Sequence, residues 1–298
     1  MTGRFFRESR RASFVLVALA YGAAVFSAWH VLHATAGWAP WWRVAVADGV
    51  ATLVVFAFSV VLDNSSVYDP YWSVAPMLIA PWLSVATAAP GVPLLRTLLV
   101  NGLVLCWGAR LTWNWARGWR GLSHEDWRYA DLRGTAGRGY WFVSFVGLHL
   151  MPTISVYLGC LALFPALCTG TRPVGLRDLP GLVVLAGSIA LETVADEQLR
   201  AFRRSAAPGS ILERGLWAWC RHPNYLGEIG VWWGLWLLGL AASPRAWWIL
   251  AGPVWITALF VFISLPLIER RSRARRPGYF EHCARVPALF PRPPRTRS

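Results

Sequence analysis

The segment Arg221-His222-Pro223-Asn224-Tyr225-Leu226-Gly227-Glu228 sets a guanidinium, an imidazole, an amide, a phenol and a carboxyl group just ahead of an apolar run. These groups can donate, accept and stack on one ligand. Pro223 biases His222 towards an extended backbone and suits the first turn of a helix. A helix starting there presents free N–H groups to an anion. Asn224 and Glu228 then lie one turn apart and face one side. Gly227 permits a close approach by backbone or ligand. The plainer alternative is an interfacial anchor, with Arg and Tyr at the level of lipid headgroups.

Three further clusters carry polar groups. Glu192, Asp196, Arg200 and Arg203 stay near one helical face, with Asp196 and Arg200 an i,i+4 pair. A surface ion-pair ladder accounts for Arg200, but Glu192 lies about one turn deeper and needs a partner or a polar cavity. Asp63, Tyr68, Asp69, Tyr71 and Trp72 open one apolar run, and Arg110, Asn114 and Arg117 close another. Glu125 to Tyr129, with Asp131 and Arg133, reads equally as an amphipathic interfacial loop or as part of a site. Glu269, the arginines from Arg270 to Arg276, Tyr279 and His282 form the last cluster. Its arginines suit the anionic inner leaflet, and Tyr279 and His282 can fold back over a site. His30, His33 and His149 lack metal-ligand spacing and read as packing or interface residues. The five scattered cysteines give neither a zinc site nor a disulfide framework.

The elements that must position these groups are helices in lipid. Of 298 residues, 56% are hydrophobic and 15% charged, and 20 are Trp. Soluble domains carry roughly 25% charged residues. A spanning helix needs roughly 20 apolar residues. Candidate spans fall at about 14–32, 43–62, 71–89, 93–115, 140–166, 179–198, 226–242 and 246–268. The expectation is an all-α polytopic membrane protein of 7–8 spans, in one membrane domain. All 29 basic residues are arginine, which excludes a Schiff-base lysine and a Walker-type phosphate loop. The arginines sit between apolar runs, so the net charge of +14 points to a membrane surface before nucleic acid. With eight spans, 23 arginines fall in 1–13, 63–70, 116–139, 199–225 and 269–298, against five in the other loops and Arg110 within a span. That bias places both termini in the cytoplasm.

Together with Gly215-Leu216-Trp217, the signature resembles that of steroid 5α-reductases and sterol C14/Δ7 reductases. Isoprenylcysteine carboxyl methyltransferases carry a looser version. The whole chain most resembles the bacterial DUF1295 branch of the steroid 5α-reductase family. Asp69-Pro70-Tyr71-Trp72-Ser73, Glu125-Asp126-Trp127-Arg128-Tyr129, Ala195-Asp196 and Pro277-Gly278-Tyr279 support it, and the strong match covers about 190–294. The resemblance implies an inner-membrane reductase with a substrate-side half at 1–139 and an NADPH-binding half at 140–298. By motif position it implies cofactor contacts from Asn224 and Glu228, with Arg221, His222 and Tyr225 beside them. Asp196 and Arg203 fall at the acidic and phosphate-binding positions, and Tyr279 at a closing aromatic.

The implied chemistry is hydride transfer to the β-carbon of a conjugated enone, followed by protonation of the α-carbon. A donor must polarise the carbonyl oxygen. No tyrosine of the first half falls on a matching motif, so Asp69 with Tyr68 or Tyr71 is the candidate group on chemistry and depth. The partners expected are a lipophilic small molecule and membrane lipid. Two other readings stand beside this one: an S-adenosylmethionine-dependent methyltransferase, and a lipid-binding protein without catalysis. The arginines of 199–221 favour a dinucleotide over S-adenosylmethionine, which has no phosphates to neutralise.

Overall fold

The computed structural model describes residues 9–293. Arg4, Arg7 and residues 294–298 lie outside the described residues. The chain divides into two compact units, Met1–Thr169 and Gly170–Ser298. Among the described residues all regular structure is helical.

The first unit opens with α1 (Arg10–Ala34), whose N-cap Ser9 accepts from the Ala12 N–H at 3.3 Å. Next comes α2 (Pro40–Val61), begun by a proline that suits the first turn. A 3₁₀ turn, Ser65–Tyr68, is capped by Asn64, which accepts from the Ser66 N–H at 2.8 Å. It leads into α3 (Tyr71–Ala86), which contains Pro76 and Pro81. After α4 (Leu94–Gly118) and α5 (Trp127–Ala136) come α6 (Tyr140–Ser144), a π turn at Phe145–Leu150, and α7 (Met151–Cys160). Helix α1 packs on α2, α3 on α4, and α7 against both α2 and α3. The run 140–169, expected in the cofactor half, therefore packs within the first unit.

The second unit holds α8 (Leu179–Ser205), α9 (Pro223–Ala242), α10 (Ala251–Leu259), a π turn at Phe260–Ser264, α11 (Leu265–Arg275) and α12 (Tyr279–Arg285). Helices α8 and α9 approach closely because glycines line their contact. A Cβ at Gly227 would lie 2.7 Å from Glu192 Cβ, and one at Gly234 2.7 Å from Leu185 Cα. The close approach expected at Gly227 is thus made by a neighbouring helix.

Seven helices among the described residues are long and apolar enough to cross a membrane: 10–34, 40–61, 94–118, 127–169, 179–205, 223–242 and 244–275. The eighth candidate run becomes α3, of 16 residues. At about 1.5 Å per residue it reaches roughly 24 Å, short of a hydrocarbon core of about 30 Å.

Candidate functional site

In the second unit the signature begins α9, as Pro223 implies. The preceding loop folds back on α8: Trp217 Nε1 donates to Ala195 O at 3.0 Å, and Leu216 N to Gln198 Oε1 at 2.9 Å. Gly215 has φ +61°, and a Cβ there would meet Gln198 Oε1 at 2.5 Å. This fold-back joins Asn224 to the acidic position upstream, for Asn224 Nδ2 donates to Asp196 Oδ1 at 3.3 Å. Asn224 Oδ1 is buried and has no hydrogen-bond partner among the described residues. Arg203, further along α8, lies within electrostatic reach of Arg276, Asp196, Arg200 and Tyr225. Glu228 is buried and accepts from Trp232 Nε1 at 3.0 Å. The Tyr225 ring stacks on His222 at 5.4 Å and meets Phe260 edge-on at 4.9 Å.

Arg221 and His222 turn to Glu269. Arg221 donates to it through Nε at 2.9 Å, and His222 Nε2 lies 3.2 Å away. Burial holds the His222 imidazole below its ordinary range, against the pull of Glu269. Tyr279 is buried and hydrogen-bonds Ser272, and burial raises its phenol.

In the first unit the expected trio separates. Tyr68 and Tyr71 stack, with ring centroids 4.6 Å apart and an interplanar angle of 14°. Tyr71 Oη donates to Asp48 Oδ1 at 2.6 Å. Tyr68 Oη lies 2.5 Å from Thr153 Oγ1, which is also 2.6 Å from Thr52 Oγ1 and donates to His149 O at 2.8 Å. Because that proton goes to His149 O, Thr153 accepts from both Tyr68 and Thr52. Asp69 turns elsewhere and accepts from Tyr129 Oη at 2.6 Å. Burial raises the Asp69 carboxyl to about 6, against the opposing pull of Arg128 and Tyr129.

The acid beside the tyrosine pair is therefore Asp48, buried in the middle of α2. Its Oδ2 atom is buried without a hydrogen-bond partner among the described residues. The signal for it is plain in the sequence: a carboxyl inside an apolar span marks a site by default. His149 is fully buried, on Ser59 Oγ at 3.1 Å and Ser144 O at 3.0 Å, in keeping with a packing role.

These features define a polytopic, all-α membrane protein with a buried polar cluster in each unit. A family model described as a protein of unknown function, DUF1295, matches residues 55–286, and the chain belongs to that family. It is 26% identical over 264 residues to an uncharacterized protein of Schizosaccharomyces pombe, covering 80% of this chain and 76% of the relative. No solved structure matches the chain.

Proposed function

We propose that the protein is a membrane-embedded, NADPH-dependent reductase of a conjugated C=C bond in a steroid-like or other lipophilic enone. The observation that carries this reading is the Asn224–Asp196 pair, with its open amide oxygen, on the same unit as Arg200, Arg203 and Arg276. That donor set fits a dinucleotide. Guanidinium groups suit its phosphates, the Asp196 carboxylate its ribose hydroxyls, and Asn224 Oδ1 a hydroxyl or amide donor. Membership of DUF1295 and the likeness of the signature to steroid 5α-reductases support the same class.

Bound NADPH would supply the hydride. The chain's own part is to bind the carbonyl and manage the proton. Tyr68 has its proton engaged by Thr153, and Tyr71 engages Asp48 Oδ1. In its acid form Asp48 offers a proton on Oδ2 to a ligand oxygen. That proton stabilises the enolate as charge develops and, once it reaches the α-carbon, completes the addition of two hydrogens across the double bond. Asp48 with Tyr71 takes the role first assigned to Asp69. The arginine bias supports a cytoplasmic location for both termini in a bacterial inner membrane.

The test is a calorimetric titration of the purified protein with NADPH, NADH and S-adenosylmethionine, followed by NADPH oxidation with a 3-oxo-Δ4 steroid. Tight binding of NADPH is expected. Preferential binding of S-adenosylmethionine would turn the reading to a methyltransferase, and no binding of either would favour a lipid-binding protein.

A further inference from the structure

Two carboxylates of the second unit join the same two segments from opposite sides. Glu269, in the middle of α11, takes Arg221 Nε at 2.9 Å, its second amine at 2.5 Å and His222 at 3.2 Å. Glu213, in the loop after α8, takes His282 Nδ1 at 3.0 Å and Arg285 at 2.7 Å, both on α12. One clasp has its acid on the C-terminal segment and its bases on the loop, and the other has them reversed. Arg221 also donates to Cys283 O at 3.2 Å and to Val286 O. The backbone adds Arg221 N to Pro287 O at 2.9 Å, His222 N to Ala288 O at 3.1 Å and Arg292 N to Trp219 O at 3.0 Å. The Arg221 donors are thus taken up within the protein.

Between the two clasps along the chain lie Arg276 and Tyr279, joined by Gly278, whose φ of +77° makes the turn into α12. Arg276 is close enough to Arg203 and to His222 to act on their charges. Like charges held close together repel, so this grouping needs other contacts to maintain it. The clasps are the contacts that flank it on the chain.

We propose that Arg221, Glu269, Glu213 and His282 are positioning residues, forming crossed ion clasps that hold the segment around Arg276, which packs against Gly209 just past α8 with Pro277 Cδ 3.4 Å and Arg275 O 3.7 Å from where a Cβ would stand there, and so pre-form the site for a dinucleotide's phosphates. This rests on the cofactor reading above. Arg221 then serves the site through Glu269, without touching the ligand.

The full-length protein in nanodiscs is titrated with NADPH and with inorganic pyrophosphate, and hydrogen exchange is followed over 276–292. Glu269→Gln and Arg221→Gln should each weaken NADPH binding about tenfold, the scale of one lost charge-assisted contact. Both should speed exchange in 279–285. The double variant should lose no more than the worse single one, because both break one clasp. Glu213→Gln, at the more exposed clasp, should act in the same direction to a smaller extent, and keeps the test open should a Glu269 variant not fold. Additive losses with unchanged exchange would mean direct ligand contacts and overturn the proposal. So would unchanged affinity in all the variants. A wild-type protein that binds neither NADPH nor pyrophosphate removes the cofactor reading and the proposal with it, whereas tight binding that the variants leave intact removes the clasps alone.

Discussion

Around Tyr68 and Tyr71 the first unit joins its buried polar groups through hydroxyls: Tyr71 donates directly to Asp48, Tyr68 meets Thr153 and through it Thr52 and the His149 carbonyl, and Ser59 meets the His149 ring. Around Glu269 and Glu213 the second unit uses charge, Glu269 meeting Arg221, Arg273 and His222 and Glu213 meeting Arg285 and His282. The hydroxyl network buries little formal charge and can hand protons along short bonds. The ion clasps fix segments at a cost in desolvation, a cost eased where Glu213 and Arg285 stay partly exposed. On the proposed reading, the first unit handles a neutral oxygen and a proton and the second holds a polyanion.

The sharpest break in this contrast comes from the phenol–acid pair. Asp48→Leu removes the proposed donor to the ligand oxygen, and turnover should fall about 100- to 1,000-fold, the scale of one lost oxyanion donor, with nucleotide affinity unchanged. Steady-state kinetics beside a binding titration would check this, and a parallel loss of affinity would merge the two roles. Next, Gly234→Ala forces a Cβ against the Leu185 backbone. It should cost about 1–3 kcal/mol of stability, read as a lower thermal midpoint in detergent.

Third, the cationic unit should distinguish NADPH from NADH about tenfold, one charge-assisted contact, and Arg203→Gln should erase the difference. Equal affinities in the wild-type protein would show that the 2′-phosphate meets no arginine. The smallest effect on binding and turnover belongs to Asp69. Its carboxyl is raised to about 6 in the fold, so the folded protein binds the extra proton. Its contribution is present below the unfolded value of about 3.9 and is lost as pH rises to about 6, flat beyond. Asp69→Asn should remove roughly 3 kcal/mol of pH dependence across that window, measured by thermal melts at stepped pH.

The helical membrane class, and most of the spans, can be read from hydropathy because lipid demands long apolar runs. Helix α3 runs through Pro76 and Pro81 and ends before Pro90-Gly91, a pair that the sequence places at a helix stop. Asn224 and Asp196 meet as their positions suggest, since the loop between them folds back. Arg221 misleads, because its neighbours in sequence are candidate ligand contacts while its partner Glu269 is 48 residues away. Asp69 misleads in the same way: Tyr71 is near in sequence, but Tyr129, 60 residues off, takes its oxygen. Residue types and depth nominate polar groups, and only tertiary packing decides which pairs close.

The π turn at Phe145–Leu150 has a consequence for how the chain can change length. His149 Nδ1 reaches Ser144 O, five residues back, at 3.0 Å, so this turn stores a residue beyond the α repeat. Deleting Gly147 would let the turn close as an ordinary α turn while Ser144 and Thr153 keep their faces. The same deletion inside α7 would rotate every later side chain by about 100°, the angle per residue of a 3.6-residue turn. The protein thus carries, beside its hydroxyl network, a turn at which the chain can lose one residue without rotating the helix that follows.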